Sequence, residues 1–177
     1  MRVELTLETE RLLLRPFRMD DAEEMFNSWT SDPEVTKYLT WETHKTIDDT
    51  RYILGLWTEQ YKQPERLNFA IEQKDSHKLI GGIDVNGYDN GVPVIGYVLS
   101  RNNWNKGYMT EACRCVIDYL FSRGFEKVRI DAVVENKGSN RVIQKCGGEL
   151  VKTEEECFPM RNNRVFMLNR YIINNNK

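Results

Sequence analysis

A polar loop, Trp104–Met109, holds the residues of this chain with the clearest capacity for chemistry. It leads into an amphipathic segment, and Gly107 stands where a helix would begin, with Lys106 beside it. The first N–H groups of a helix lack partners within the helix and carry the positive end of its dipole. Such a helix start binds phosphate, and a glycine lets the backbone approach the anion closely. The loop therefore predicts a phosphate site; the alternative is an ordinary helix start that contains a glycine.

Two common phosphate-binding motifs do not describe this loop. It lacks the Gly-Lys-Ser/Thr ending of a Walker loop. It also contains one glycine where the dinucleotide-binding fingerprint has three. If the loop binds a phosphate group, it does so through neither of these arrangements.

The elements on either side of the loop have the strongest periodicity in the chain. Apolar residues recur on one face of Tyr108–Arg123, which predicts a helix, and Gly124 ends the pattern. The preceding segment, Val92–Ser100, alternates with a period of two and predicts a strand. A strand, a loop and a helix would thus follow one another around Gly107.

The hydrophobic period changes several times along the rest of the chain. A helix capped by Asp20, with Glu23 as its capping-box partner, precedes a break at Asp32–Pro33. A second helix begins at Thr46, and a short one covers Ser139–Cys146. The other predicted strands are Arg11–Phe17, Leu67–Glu72, Leu79–Tyr88, Val128–Val134, Glu149–Glu156 and Arg164–Ile173.

The predicted order, β-α-α-β-β-β-α-β-α-β-β, combines an antiparallel meander with β-α-β crossovers. A length of 177 residues suits one domain. We therefore expect an α+β, or mixed α/β, fold with one central, mostly antiparallel sheet in a single domain over residues 1–177. The last strand, Arg164–Ile173, is either an exposed edge that pairs two subunits of a homodimer or an inner strand.

Composition argues against several classes of partner. The chain has 25 Lys+Arg and 27 Asp+Glu, a net charge of −2, so binding to nucleic acid or an anionic membrane mainly by charge is not expected. No apolar stretch approaches the roughly 20 residues of a membrane span, and Met1–Leu5 has no apolar signal region. Cys113, Cys115, Cys146 and Cys157 lack zinc-site spacing, so we expect no metal and reduced thiols in a cytoplasmic protein.

The loop belongs to a series of motifs that spans nearly the whole chain in order. Its sequence continues through Thr110–Ala112, and Asn136–Gly147 reads Asn-Lys-Gly-Ser-Asn-Arg-Val-Ile-Gln-Lys-Cys-Gly. Together these motifs resemble the GNAT acetyltransferases. The RimJ/RimL-type N-acetyltransferases are the branch most similar to this chain, on the further evidence of Leu7–Pro16, Asp20–Glu23, Asp32–Val35 and Asn162–Tyr171.

The resemblance implies acetyl-coenzyme A as the cofactor. In this family, loop amides with the pattern Gln/Arg-x-x-Gly-x-Gly/Ala bind the pyrophosphate; here Trp and Met occupy its first and last positions, and Gly107 is kept. The family's sheet splays between its fourth and fifth strands, here Val92–Ser100 and Val128–Val134, and the pantetheine arm enters that gap. Backbone N–H groups there would hold the thioester carbonyl. The implied cofactor-binding residues are Val98, Leu99, Asn105, Lys106, Gly107, Tyr108, Met109, Thr110, Asn136, Ser139 and Asn140.

The implied reaction is direct attack of a neutral amine on the thioester, which requires a base and benefits from an acid. Many members of the family use a tyrosine as the acid, and Ile143 occupies that position here. The RimJ/RimL-type branch offers Ser139 instead, whose alternative role is a helix cap. Glu156 and Asp84 are the main candidates for the base, with Glu156 ranked slightly higher. The alternative for each is a solvated charge on a strand.

Three residues are candidates for the acceptor site. Trp41 and His44 lie between the first two predicted helices, a region that covers the acceptor in proteins of this fold. Tyr97 lies on the strand beside the proposed gap. The alternatives are a core anchor for Trp41, a surface position for His44 and simple packing for Tyr97.

Two functions remain open. The resemblance implies acetyl transfer from acetyl-CoA to a primary amine, either a protein N-terminus or a small amine, in a ternary complex. The absence of the family tyrosine leaves a non-catalytic acyl-CoA-binding sensor as the alternative.

Overall fold

A computed structural model describes residues 5–63 and 66–176, so Met1–Glu4 of the opening segment lie outside it. The described residues form eight strands. These are β1 (Leu7–Glu8), β2 (Leu12–Arg15), β3 (Asn68–Gln73), β4 (Leu79–Asp89), β5 (Val92–Leu99), β6 (Lys127–Val133), β7 (Glu149–Phe158) and β8 (Arg164–Asn174).

Five α-helices connect the strands. A 3₁₀ turn (Met19–Asp21) precedes the first helix, and a π turn (Phe26–Thr30) continues it. The helices are α1 (Ala22–Met25), α2 (Pro33–Thr36), α3 (Ile47–Gln60), α4 (Tyr108–Ser122) and α5 (Lys137–Lys145).

All eight strands belong to one sheet, in the order β1-β2-β3-β4-β5-β6-β8-β7. Every neighbouring pair is antiparallel except β5 and β6, which are parallel. The expected mixed α/β class with a mostly antiparallel sheet is confirmed. The sequence left open whether the last strand is an edge strand or an inner one. Strand β8 lies between β6 and β7, so it is an inner strand, and β7 forms this edge of the sheet.

The two faces of the sheet carry different helices. The apolar stripe of α4, including Met109, Val116 and Leu120, packs with Ile143 of α5 and the strands to form the larger core. A second core on the opposite face contains Trp29 and residues of α1, α2 and α3. A chamber between the second face and its helices, and a break in the sheet, position the site described below.

The start of the first helical segment differs from the sequence prediction. Arg18, rather than Asp20, is the N-cap, and its N–H donates to the Asp21 carboxylate over 2.7 Å. The same carboxylate binds the Arg15 guanidinium over 2.8 and 2.9 Å in a buried ion pair. Asp21 takes the capping role because Arg15 holds its carboxylate beside the backbone of Arg18.

Two short elements escaped the sequence analysis. Strand β1 has two residues and owes its extended form to pairing with β2. Asp32–Pro33 ends the first helical segment as expected, but it also begins α2: the Asp32 carboxylate accepts the Glu34 N–H over 3.0 Å, and Pro33 occupies the first helical position. By contrast, the predicted start of α3 at Thr46 is confirmed, with Asp49 completing a capping box.

Candidate active site

A gap opens between the parallel strands β5 and β6. Their pairing consists of Val94 with Arg129 and Ile95 with Ile130, while β5 continues to Leu99. The Ser100 N–H donates to the Ile80 carbonyl of β4 over 2.8 Å. Because antiparallel backbone groups alternate in direction, Val98 also faces β4, whereas the N–H of Leu99 points into the gap. Of the two amides predicted to contact the cofactor, only that of Leu99 points into the gap.

The Trp104–Met109 loop closes one end of the gap with exposed backbone amides. Asn105 and Gly107 both have left-handed backbone angles, with φ of 61° and 81°. The first intrahelical bond of α4 runs from the Glu111 N–H to the Gly107 carbonyl over 3.0 Å. The N–H groups of Tyr108, Met109 and Thr110 therefore precede the helical bonding pattern and remain directed at the loop. This geometry fits an anion, and it fits the pyrophosphate of coenzyme A in particular because the gap for its pantetheine arm adjoins the loop.

Two contacts that sequence reasoning missed hold the loop in place. The Arg11 guanidinium binds Glu111 over 2.7 Å and the Lys106 carbonyl over 3.1 Å, and its plane lies over the Tyr108 ring. The Trp104 indole donates to the Leu99 carbonyl over 2.8 Å. Arg11 and Glu111 are 100 positions apart in sequence, so no local pattern indicates their pairing.

A large open cavity of about 1320 Å³ lies against the second face of the sheet and reaches the gap. It brings together most of the residues selected for catalysis and acceptor binding, although they come from distant parts of the chain. The selected residues that line it are Trp41, His44, Asp84, Tyr97, Val98, Asn136, Ser139 and Glu156.

Asp84 lies beside the gap on the cavity face of β4. It pairs across the sheet with Gly96, the first residue of β5 beyond the β5–β6 pairing. A Cβ added to Gly96 would lie 3.1 Å from Asp84 Oδ1 and 2.7 Å from Asn86 Nδ2, so the glycine makes room for both polar groups. Burial raises the pKa of Asp84 from 3.8 to about 7, although the charge of Arg66 opposes the shift. A carboxyl group with that pKa suits a general base at neutral pH.

Glu156 reaches the same cavity, but its carboxylate is already paired. Arg170 donates to Glu156 over 2.6 Å and to Asp131 over 2.8 Å, and it also contacts Glu154. Glu156 would have to break this ion pair before it could act as a base. The structure therefore reverses the order given by sequence: Asp84 is the stronger candidate for the base, and Glu156 is part of an ion-pair network.

Ser139 faces the gap from the side opposite Asp84. Its Oγ lies 2.9 Å from the hydroxyl of Tyr97, and its carbonyl lies 3.3 Å from that hydroxyl. Ser139 is not the cap of α5. Asn136 caps the helix by accepting the Ser139 N–H over 3.2 Å, so α5 begins two residues earlier than predicted and the serine hydroxyl is left for other contacts.

Two further positions on α5 are structural. Ile143, at the place of the family tyrosine, is completely buried in the larger core. Asn140 is buried, and its amide nitrogen donates to the carbonyls of Val133 and Asn136 over 2.9 and 2.8 Å. Its oxygen accepts from Asn169 and Tyr171 over 2.9 and 2.8 Å. Every hydrogen-bonding position of this side chain is engaged, so Asn140 supports the fold rather than offering a contact to a cofactor.

Trp41 and His44 form one wall of the cavity. Their ring centroids are 5.1 Å apart, and His44 Nδ1 lies 2.8 Å from the Thr50 hydroxyl. The hydroxyl of Thr50 lies 2.9 Å from that of Thr30. Burial lowers the pKa of His44 below 6.5, against the opposing charge of Asp49, so the imidazole is neutral at pH 7. Both residues are half-buried and line the cavity, and their role in acceptor binding stays a prediction.

Two general features bear on the class of protein. Among residues 5–63 and 66–176, no group of His, Cys, Asp and Glu side chains is arranged to hold a metal ion. In the same part of the chain, no helix is long and apolar enough to cross a membrane.

A splayed mixed sheet, an amide-lined loop at the start of α4 and a chamber across the gap define an acyltransferase fold. Residues 11–149 match a family model described as an acetyltransferase (GNAT) domain. The chain therefore belongs to the GNAT acetyltransferase family, and it is an acetyltransferase of the acetyl-CoA-dependent class.

Individual relatives agree with this family. The chain is 36% identical over 132 residues, 73% of each protein, to a Bacillus licheniformis protein named "Uncharacterized N-acetyltransferase p20". A GNAT-family acetyltransferase structure from Bacillus anthracis matches with a TM-score of 0.82 at 28% identity, covering 96% of this chain and 98% of that one. The RimL ribosomal L7/L12 alpha-N-protein acetyltransferase matches with a TM-score of 0.83 and coverage of 98% and 96%. At 17% identity, this last likeness shows the fold alone.

Proposed function

We propose that this chain is an N-acetyltransferase of the RimJ/RimL-type branch, acting as a single domain over residues 1–177. It transfers the acetyl group of acetyl-CoA to a primary amine, which is a protein N-terminus or a small amine. The observation that carries the proposal is the position of Asp84, a carboxyl group with a pKa of about 7 beside the gap between β5 and β6. The RimL fold likeness and the motifs in the sequence support the branch.

The cofactor side of the proposal rests on backbone groups. The amides of Lys106–Thr110 are placed to bind a pyrophosphate, with the Lys106 ammonium adding charge. The Leu99 N–H points into the gap, where it would hydrogen-bond a carbonyl oxygen and stabilise negative charge there. When bound, acetyl-CoA supplies the activated acetyl thioester. Because these contacts use the main chain, the Trp and Met that depart from the family pattern leave them intact.

The proton-transfer groups lie on opposite sides of the gap. Asp84 accepts a proton from the acceptor's ammonium group on the cavity side, which leaves a neutral amine to attack. Ser139 offers a hydrogen bond from its hydroxyl on the α5 side, where the sulfur departs as a thiolate. The second proton lost by the attacking nitrogen matches the one that this thiolate takes up as the thiol forms. This division places the base next to the acceptor and the hydrogen-bond donor next to the leaving group, as direct transfer requires.

The charge of the cavity favours an amine acceptor. Seven carboxylates line it, against four lysine and arginine side chains, whereas the whole chain has a net charge of only −2. A wall with excess negative charge attracts an ammonium ion and raises its local concentration. Trp41 and the neutral His44 supply an aromatic surface beside it.

A non-catalytic acyl-CoA sensor is the second candidate, because buried Ile143 replaces the tyrosine acid of many family members. The homodimer expectation also stays a prediction. Because β8 is an inner strand and β7 is an exposed edge strand, we propose β7 as the strand that would pair between subunits.

Thiol release from acetyl-CoA with a panel of amines, including peptides with free N-termini, tests the proposal. An enzyme releases CoA only when an accepted amine is present and forms the N-acetyl product, detected by mass spectrometry. A sensor is stabilised against heat by acetyl-CoA but releases no thiol with any amine. Absence of both binding and turnover would overturn the two candidates together; NAD serves as the control nucleotide for binding.

A further inference from the structure

The hydroxyl pair formed by Tyr97 and Ser139 lies on the α5 side of the gap. Both residues line the cavity, and their hydroxyl oxygens are 2.9 Å apart. Tyr97 projects from β5 beyond the end of the β5–β6 pairing, and Ser139 projects from the first turn of α5. Within the described parts of the chain, Tyr97 is the one side-chain hydrogen-bond partner of the Ser139 hydroxyl.

The phenol of Tyr97 has two acceptors within reach on Ser139: Oγ at 2.9 Å and the carbonyl oxygen at 3.3 Å. Oγ is the nearer of the two, and a phenol is more acidic than an aliphatic alcohol, so we assign Tyr97 as the donor to Ser139 Oγ. Burial raises the pKa of Tyr97 well above 10, with smaller contributions from Cys113, Cys146 and Tyr171, although the hydrogen bond with Ser139 lowers it. The phenol therefore stays protonated throughout the working pH range and always has a proton to donate.

We infer that Tyr97 is a positioning residue that directs the hydroxyl proton of Ser139 into the gap, toward the sulfur of the acyl donor. Tyr97 donates to Ser139 Oγ, and the serine proton then points away from the phenol. A serine in the first turn of a helix would otherwise turn its proton back toward a helix carbonyl. This role of Tyr97 rests on the proposed acetyl transfer. It requires one hydrogen bond from Ser139 to the sulfur and no change in the protonation of Tyr97.

This arrangement compensates for the missing family tyrosine. Ile143 places a buried side chain where that phenol would be, whereas Tyr97 brings a phenol to the same side of the gap from β5. The departing sulfur gains negative charge as the carbon–sulfur bond breaks, so a directed hydroxyl stabilises the transition state more than the ground state.

Kinetics of Tyr97→Phe test the inference, because this substitution removes only the hydroxyl. We expect kcat to fall about tenfold, the loss expected for one hydrogen bond to developing charge, with little change in KM for acetyl-CoA. The double variant Tyr97→Phe/Ser139→Ala should be no slower than Ser139→Ala alone, because Tyr97 acts through the serine. Multiplicative losses, or an unchanged kcat in Tyr97→Phe, would overturn the inference.

A binding measurement provides a readout independent of turnover. Wild-type protein should bind CoA more tightly than desulfo-CoA, and Tyr97→Phe and Ser139→Ala should both reduce that preference. The matched control is Tyr171→Phe, which removes another phenol hydroxyl from the same core and leaves Asn140 its bond from Asn169. The Tyr171→Phe variant should still bind CoA more tightly than desulfo-CoA. If wild-type protein binds CoA but acetylates no amine, the proposed function fails, whereas equal preferences in wild type and Tyr97→Phe would refute the role of Tyr97.

Discussion

Asp84, the proposed base, shows how its surroundings change the properties of a single carboxyl group. Its sequence neighbours predict only a carboxylate on a strand, which normally contacts water. In the structure the side chain lies beside Gly96, with Oδ1 3.1 Å from the position that a Cβ would take, and burial raises its pKa to about 7. The same carboxyl group is therefore a base suited to neutral pH and a source of instability once it is charged.

Replacing Asp84 with asparagine should separate these two consequences. A group whose folded pKa exceeds its unfolded value of 3.8 costs stability as pH rises from that value to about 7, because the charged form is disfavoured in the fold. Asp84→Asn should therefore be more stable than wild type by about 1–3 kcal/mol at pH 8, with a smaller advantage at pH 5. Its kcat/KM should fall by about a hundredfold.

Thermal unfolding and initial rates at several pH values measure both effects. Asp75→Asn in the exposed turn between β3 and β4 is the control, and neither property should change with it. In wild type, kcat/KM should decline below pH 7 as Asp84 becomes protonated. A stability advantage that does not grow with pH, or full activity in Asp84→Asn, would contradict the assignment of the base.

At the scale of elements, the start of α4 depends on a backbone conformation that only its surroundings explain. Gly107 has a φ of 81° and caps the helix without a side-chain contact. The Arg11 guanidinium lies over the same turn, and a Cβ added to Gly107 would lie 3.4 Å from Arg11 Nη2. The bend between β1 and β2 thus holds a loop 95 positions further along the chain.

Gly107→Ala tests this conformation. A residue with a Cβ pays roughly 1–2 kcal/mol in the left-handed region, so the loop should open or shift and acetyl-CoA affinity should fall about tenfold. Gly91→Ala is the matched control, because Gly91 has a φ of 82° in the turn between β4 and β5 with open space around it. The two variants should lose similar stability, but only Gly107→Ala should weaken acetyl-CoA binding in a calorimetric titration.

At the scale of the whole molecule, the charges are distributed unevenly. The ion-pair network around Arg129 and Arg170 joins β4, β6, β8 and β7 on the cavity face. It contains more carboxylates than guanidinium groups, so the chamber keeps an excess of negative charge after its internal pairs are formed. The sequence has nearly balanced charges, and only the fold concentrates one sign in the chamber.

The salt dependence of the reaction rate should reveal this excess of negative charge in the chamber. The kcat/KM for a diamine should exceed that for a monoamine of equal length at low ionic strength, because each ammonium group is attracted. The difference should disappear toward about 1 M salt, where the Debye length is about 3 Å. Glu155→Gln on the outward face of β7 serves as the control for Glu156→Gln, and only the latter should reduce the preference for diamines. A preference that salt does not change would show that the field of the chamber does not select the acceptor.

Local patterns in the sequence determined most of the fold. The periodicity of α4, the capping box at Thr46 and the alternation of β3–β5 predicted their elements correctly, since each depends on residues close together in the chain. The motifs at Trp104–Met109 and Asn136–Gly147 indicated the family, and Gly107 is the basis of the proposed phosphate loop. Short elements such as β1 and α2 were missed because pairing and packing, rather than local pattern, determine them.

The tertiary structure alone decided how the groups of the candidate site are arranged. The higher rank of Asp84 over Glu156 depends on burial and on Arg170, which the chain brings from another strand. The bond between Tyr97 and Ser139 joins residues 42 positions apart, and the direction of the Leu99 amide depends on which strand pairs with β5. Sequence specifies the types of these groups, but their pKa values and hydrogen bonds depend on distances and solvent exclusion that exist only once the sheet has formed.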